Sequence, residues 1–155
     1  MVGGPNIFIM VQGNILGFDF GLKQIGVAVG ETVTGSARPL ALLKTNDGKP
    51  QWHLIEKLIS EWQPALLVVG LPLNMDDSES AMSARARKFA NRLHGRYGLK
   101  VELHDERLSS QAVRSSLAEA EQFGEKQRIA HNKIDALAAA LVLESWLHGR
   151  ANNNS

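Results

Sequence analysis

Six residues, ALLVVG at positions 65–70, constrain the fold more than any other stretch of the chain. The run is apolar without alternation, the pattern of a strand covered on both faces, as in parallel sheets. Helical patterns flank it. Upstream, WHLIEKLISEW sets Trp52, Ile55, Leu58, Ile59 and Trp62 at helical spacing with Glu56, Lys57 and Glu61 turned to water, and Pro64 stops the helix. Downstream, beyond the loop LPLNMDDSES, residues 80–95 carry Met82, Ala86, Phe89 and Leu93 as a second apolar stripe. A doubly covered strand between two amphipathic helices predicts an α/β domain.

The rest of the chain extends this pattern. ILGFD (15–19) and IGVAVG (25–30) are strand-like runs joined by the five residues FGLKQ, a hairpin spacing. A third strand falls within 33–43, where Pro39 favours a sheet edge. VELHDE supplies a fifth strand, a helix follows with Ser109 or Ser110 as its N-cap, and the polar loop FGEKQRIAHNK leads into a last helix, IDALAAALVLESWLHG. The expected architecture is a five-stranded mixed sheet, three antiparallel hairpin strands then two parallel strands, flanked by helices. Right-handed crossovers bring the carboxyl ends of strands one, four and five to one edge, where open α/β sheets bind ligands. Asp19, Gly70, Asp105 and Glu106 converge there.

With 155 residues and 44% hydrophobic side chains, the chain suits one domain. The expected division is an N-terminal extension over 1–14, the domain over 15–149 and a polar tail over 150–155. The absence of cysteine excludes disulfides and thiolate metal sites. No stretch is long and apolar enough to span a bilayer, and MVGGPNIFIMVQGN lacks the features of a signal peptide, so a cytoplasmic protein without membrane contact is expected. The 17 basic against 16 acidic residues leave a nucleic-acid partner to be decided by local clustering.

Acids at strand ends are the first candidates for chemistry. Two like charges about 4 Å apart repel by roughly 4 kcal/mol at an effective dielectric of about 20, whereas a shared divalent cation turns that repulsion into attraction. Carboxylate oxygens suit Mg²⁺ or Mn²⁺. Asp19 taken alone also suits a turn satisfied by backbone amides of Gly21 or Leu22. Of Asp105 and Glu106 only one faces Asp19, because neighbours on a strand point to opposite faces, and alternation alone leaves the choice open. Asp135, three residues after Asn132, fits a capping box at the start of the last helix. The small residues Ala136, Ala138, Ala139 and Ala140 would let that helix lie close to the sheet and bring its first turn to the acids.

Basic residues cluster near the same edge. Arg85, Lys88, Arg92 and Arg96 recur three and four apart along the second helix, Arg87 adds to them, and Lys126, Arg128, His131 and Lys133 crowd the loop before the last helix. Such stripes are commonly only solvated faces; here they suit contacts to a phosphate backbone without base reading. The three tryptophans fall on apolar helical faces and are expected in the core. The five histidines have no metal-ligand spacing, so zinc is not expected.

Taken in order, FDFGLKQIGVAVG, the segment around Arg38 (GSARPL), VVGLPLNMD, ARARKFANRL, DERLSS and KIDALAAALVLE resemble the blocks of the YqgF family of the RNase H-like superfamily. The family is also described as RuvX, as Holliday junction resolvases and as pre-16S rRNA nucleases. The resemblance spans about residues 15–148. It implies an RNase H-like fold and a divalent-metal triad of Asp19, Glu106 and Asp135, catalytic and metal-ligating, with Mg or Mn as cofactor. It further implies cytoplasmic maturation of the 5′ end of pre-16S rRNA. Arg38, Asn74, Arg85, Lys88, Arg92, Arg107 and Lys133 are the expected substrate-side groups, with structural hydrogen bonding as the plain alternative. Expected partners are rRNA precursor, branched DNA or a ribosomal particle, bound by a monomer or weak dimer.

Three competing readings remain. Cleavage of branched DNA keeps the chemistry and changes the substrate. A non-catalytic nucleic-acid or protein binding module would be expected to lose acids that this chain retains. Phosphotransfer from ATP shares a strand-end Asp-x-Gly turn but needs a second lobe that 155 residues do not supply.

Overall fold

The computed structural model describes residues 13–108 and 126–153, with side chains over 13–108 and 136–150. Three strands come first, β1 (Asn14–Asp19), β2 (Gln24–Glu31) and β3 (Ala37–Lys44). Then follow α1 (Trp52–Trp62), β4 (Leu66–Leu71), α2 (Ala81–Tyr97), β5 (Val101–Asp105) and α3 (Lys126–Asn153). The sheet order is β3-β2-β1-β4-β5. β1 pairs antiparallel with β2 and parallel with β4, and β4 pairs parallel with β5. This is the expected mixed sheet. Pro39 sits in β3 at the sheet edge, opposite Ala28 where the β2–β3 register shifts, a position that tolerates a missing N–H.

Local signals explain the element ends. α1 stops at Gln63 in the left-handed region (φ 45°), immediately before Pro64. α2 opens on a reciprocal capping box between Ser80 and Ser83, and the buried Ser83 hydroxyl also donates to the Pro72 carbonyl, tying the helix start to the loop after β4. Gly98 at φ 67° ends it.

The two faces of the sheet are covered differently. On one face, Leu16, Phe18, Ile25, Val27, Val29, Leu67 and Val69 pack with Ile55 of α1 and Ala86, Phe89 and Leu93 of α2. Phe18 and Phe89 meet edge to face with ring centroids 5.6 Å apart. On the other face, Ile15, Ala28, Leu66 and Val68 pack with Ala139, Ala140, Val142, Leu143, Trp146 and Leu147 of α3. Of the tryptophans, Trp146 is buried as expected, whereas Trp52 and Trp62 are half-buried beneath the guanidinium groups of Arg96 and Arg38.

α3 corrects one expectation. The helix begins at Lys126, so most of the supposed loop FGEKQRIAHNK is helical. Polarity alone suggested a loop, but KQRIAHNK contains neither Gly nor Pro and several strong helix formers. Asn132 therefore lies inside the helix rather than at its cap, and Asp135 falls in its third turn rather than its first. The helix expected from Ser109 or Ser110 lies outside the described residues.

Candidate active site

Strand alternation decides which groups share a face. Phe18 packs on the α1/α2 side, and Phe20 lies 5.3 Å from Phe89 on that side. Asp19, between them, turns to the α3 side with Gly17 and Ile15. On β5, Val101 and Leu103 pack with the α1/α2 core, and Asp105 follows them. Glu102, His104 and Glu106 take the α3 side, where Glu102 meets Arg150 at 3.2 Å and His104 Nε2 shares a 2.9 Å hydrogen bond with Ser145 Oγ. Burial holds the His104 imidazole below its usual pKa. The open choice between the two acids thus falls to Glu106 as the one facing with Asp19.

Gly70 lies between them. Phe18 pairs with Val69, so Asp19 and Gly70 are level at the ends of β1 and β4. Beyond β5, the Glu106 amide donates to the Leu71 carbonyl at 3.0 Å, extending the ladder by one step. A methyl group added at Gly70 would come 3.3 Å from Glu106 Oε1 and 3.4 Å from Val142 Cγ2. The Glu106 carboxylate therefore leans over Gly70 beside α3, and the missing side chain leaves it room. Asp19, Gly70 and Glu106 occupy the carboxyl ends of three adjacent parallel strands on one face.

Glycines also set the height of α3. A Cβ at Gly17 would stand 2.9 Å from Leu143 Cβ and 3.4 Å from the Ala139 carbonyl oxygen, and one at Gly30 would meet Leu143 and Leu147 side chains at 3.0 and 3.1 Å. Only residues without side chains permit this approach. The sequence shows the reason in IGVAVG, where large residues alternate with Gly26, Ala28 and Gly30.

Arg107 occupies the opposite face. Its Nε donates to Asp105 Oδ1 at 3.0 Å, Nη2 to Asp105 Oδ2 and Asp77 Oδ1 at 2.7 Å each, and Nη1 to the Asn74 carbonyl at 2.8 Å. Those bonds hold the Asp105 carboxyl below the usual carboxylate range and raise the Arg107 guanidinium. This clamp ties the end of β5 to the loop after β4, next to Glu106. The Asn74 amide group donates to Ser78 Oγ at 3.0 Å within the same loop. Both residues, expected on the substrate side, thus make structural contacts.

The remaining predicted groups separate into two places. Arg85, Lys88 and Arg92 line one open cleft with Lys49 and Phe20. Arg38 pairs across β2 with Val29, which is level with Leu16 near the start of β1, and its guanidinium lies 5.3 Å over the Trp62 ring. The structure does not bring Arg38 to the acids. The side chains of Lys133 and Asp135 lie outside the described ones; among the described residues no group of three His, Cys, Asp or Glu gathers as a metal site.

The family model described as RuvX, Holliday junction resolvase, matches residues 13–149. The chain belongs to the RuvX family. Relatives from Escherichia coli O157:H7 and Shigella boydii serotype 18, each named "Putative pre-16S rRNA nuclease", are 54% identical over 136 residues, covering 88% of this chain and 96% of theirs. Among solved structures, T. thermophilus RuvC in complex with a Holliday junction substrate matches with a TM-score of 0.54 at 20% identity, over 90% of this chain and 96% of that one. The yeast mitochondrial Holliday junction resolvase matches with a TM-score of 0.55 at 12% identity, over 90% and 80%. These structures share the RNase H-like fold with this RuvX chain.

Proposed function

We propose that this chain is a metal-dependent nuclease that hydrolyses phosphodiesters in 5′-end maturation of pre-16S rRNA, with Asp19, Glu106 and Asp135 as its catalytic acids. The observation that carries this reading is the placement of Asp19 and Glu106 on one face, flanking Gly70, at the ends of adjacent parallel strands. The donor set fits a hard divalent cation: carboxylate oxygens on rigid strand ends, beside a position where a Cβ would crowd Glu106. Asp19, Glu106 and Asp135 would hold Mg²⁺ or Mn²⁺, which supplies Lewis-acid activation of water and neutralises charge on the phosphate.

Helical spacing supports Asp135 as the third acid. Leu147 packs by Gly30, Leu143 by Gly30 and Gly17, and the Ala139 carbonyl by Gly17, so α3 read backwards advances along β1 toward its carboxyl end. Asp135 is four residues, one turn, before Ala139. Within such a site the residues have separate tasks. The strand ends fix the carboxylates, the Arg107 clamp fixes the backbone on which Glu106 rides, and Arg85, Lys88 and Arg92 draw in the phosphate backbone.

The names of the 54% identical relatives favour rRNA precursor as substrate. A second reading, cleavage of branched DNA, is favoured by the description of the family model as a Holliday junction resolvase. Action in the cytoplasm accords with the rRNA substrate, and among the described residues no helix is long and apolar enough to cross a membrane. Parallel incubation with a pre-16S 5′ fragment and a four-way DNA junction, with and without Mn²⁺, separates the readings. Cleavage of the RNA alone supports the first, cleavage of the junction alone the second, and no cleavage of either contradicts both.

A further inference from the structure

Several cations among the described residues are already engaged. Arg87 is paired with Glu79 at 2.6 Å, Arg107 with Asp105 and Asp77, Arg150 with Glu102, while Arg96 and Arg38 lie over Trp52 and Trp62. Among the described residues, no ion pair engages Arg85, Lys88, Arg92 or Lys49, and these four line a single cleft of about 230 Å³ between α2 and the turn after β3. One acid, Asp47, also lines it. Its floor is aromatic: Phe20 is half-exposed and rests against the buried Phe89. The turn is held by the Gly48 amide donating to the Leu22 carbonyl at 2.9 Å, with Gly48 at φ 79°, and a Cβ there would stand 3.4 Å from Arg85 Nη1 and 3.6 Å from Phe20.

We propose that this cleft holds one nucleotide of an unpaired strand beside the cleavage site, its phosphate among Arg85, Lys88 and Arg92 and its base against Phe20. The inference rests on the nuclease reading above and adds to it a preference for single-stranded over duplex substrate next to the cut. Three observations carry it. Uncommitted cations around an aromatic ring match a group that is anionic at one end and a flat π surface at the other. The cleft, at about 230 Å³, is on the scale of one nucleotide and not of a duplex, whose bases are stacked and paired and cannot reach Phe20. Phe20 directly follows Asp19, so a strand crossing the carboxyl edge of the sheet passes from the cleft on one face to the acids on the other within one or two nucleotides.

Binding in EDTA tests the cleft apart from catalysis. Fluorescence anisotropy would compare a labelled unpaired RNA octamer with the same sequence in a blunt duplex, on wild type, Phe20→Leu and the exposed pair Lys88→Gln/Arg92→Gln, with circular dichroism confirming the fold of each. Wild type is expected to prefer the unpaired octamer. The double variant should bind it about tenfold or more weakly, with a log–log salt slope shallower by roughly 1.4, as for two lost phosphate contacts. Phe20→Leu should lose about fivefold or more on the unpaired octamer and nothing on the duplex. Equal affinity of wild type for both forms, or unpaired binding unchanged in Phe20→Leu, overturns the proposal. Because no metal is present, these outcomes hold whether or not the chain cleaves RNA; if the cleft behaves as expected and Mn²⁺ still yields no cleavage, the nuclease reading alone falls.

Discussion

The two faces of the sheet are built on opposite principles. The α1/α2 face is thick, with Phe18, Phe89, Ile55 and Leu93 filling the space between sheet and helices. The α3 face is thin: Gly17, Ala28, Gly30 and Gly70 let the alanine-rich side of α3 settle almost onto the strands. The first face removes a large apolar area from water and so adds strongly to stability. The second gives up side-chain volume for closeness, tightest at Gly17 and Gly30, and Asp19 and Glu106 stand at its carboxyl edge beside Gly70. The bulky apolar core and the proposed catalytic acids thus occupy different faces of one sheet.

Substitutions should break the molecule differently on the two sides. Ile55→Ala, which truncates a fully buried side chain on the thick face, should cost about 2–5 kcal/mol. Cleavage per folded molecule at 25 °C should stay close to wild type, as read by thermal melting and a cleavage assay on the same preparation. Gly17→Ala forces a Cβ to within 2.9 Å of Leu143 Cβ, and the overpacking should cost about 1–3 kcal/mol. Because α3 carries Asp135, Gly17→Ala should also reduce cleavage more than Ile55→Ala does despite its smaller stability cost; the reverse order would dissolve the contrast between the faces. Gly70→Ala should be mildest for stability, under about 1 kcal/mol, since its new contacts, the half-buried Glu106 carboxylate and Val142, stand no closer than 3.3 Å. Yet it should lower Mn²⁺ affinity or cleavage about tenfold by displacing Glu106.

Much of this was legible in the sequence. ALLVVG predicted a strand covered on both sides, and β4 is buried along its whole length. The helices over 52–62 and 80–95 appear within two residues of those bounds because their stops are written in Pro64 and Gly98. α3 starts earlier than the polarity of KQRIAHNK suggests, because polarity reports exposure rather than backbone conformation. For the site, strand ends were enough to gather Asp19 with Asp105 and Glu106, but choosing between neighbours needed the faces on which Val101 and Leu103 pack. The size alternation in IGVAVG carried the thin face, and its meaning emerged only once Leu143 and Leu147 were seen against Gly30. The Arg107 clamp was legible as the plain alternative of structural hydrogen bonding, which its pairing with Asp105 fulfils, but its reach to Asp77, thirty residues away, has no local signal.

The central claim is that acids on the thin face, and not the fold around them, perform the cleavage. It is tested most directly by measuring Mn²⁺-dependent hydrolysis of a pre-16S 5′ fragment by wild type, Asp19→Asn and Glu106→Gln, with the thermal midpoint of each. The account predicts that cleavage falls about 100-fold or more in both variants, beyond what loss of an outer-sphere partner causes, while the midpoints stay within a few degrees of wild type. Cleavage by either variant at the wild-type rate would contradict it.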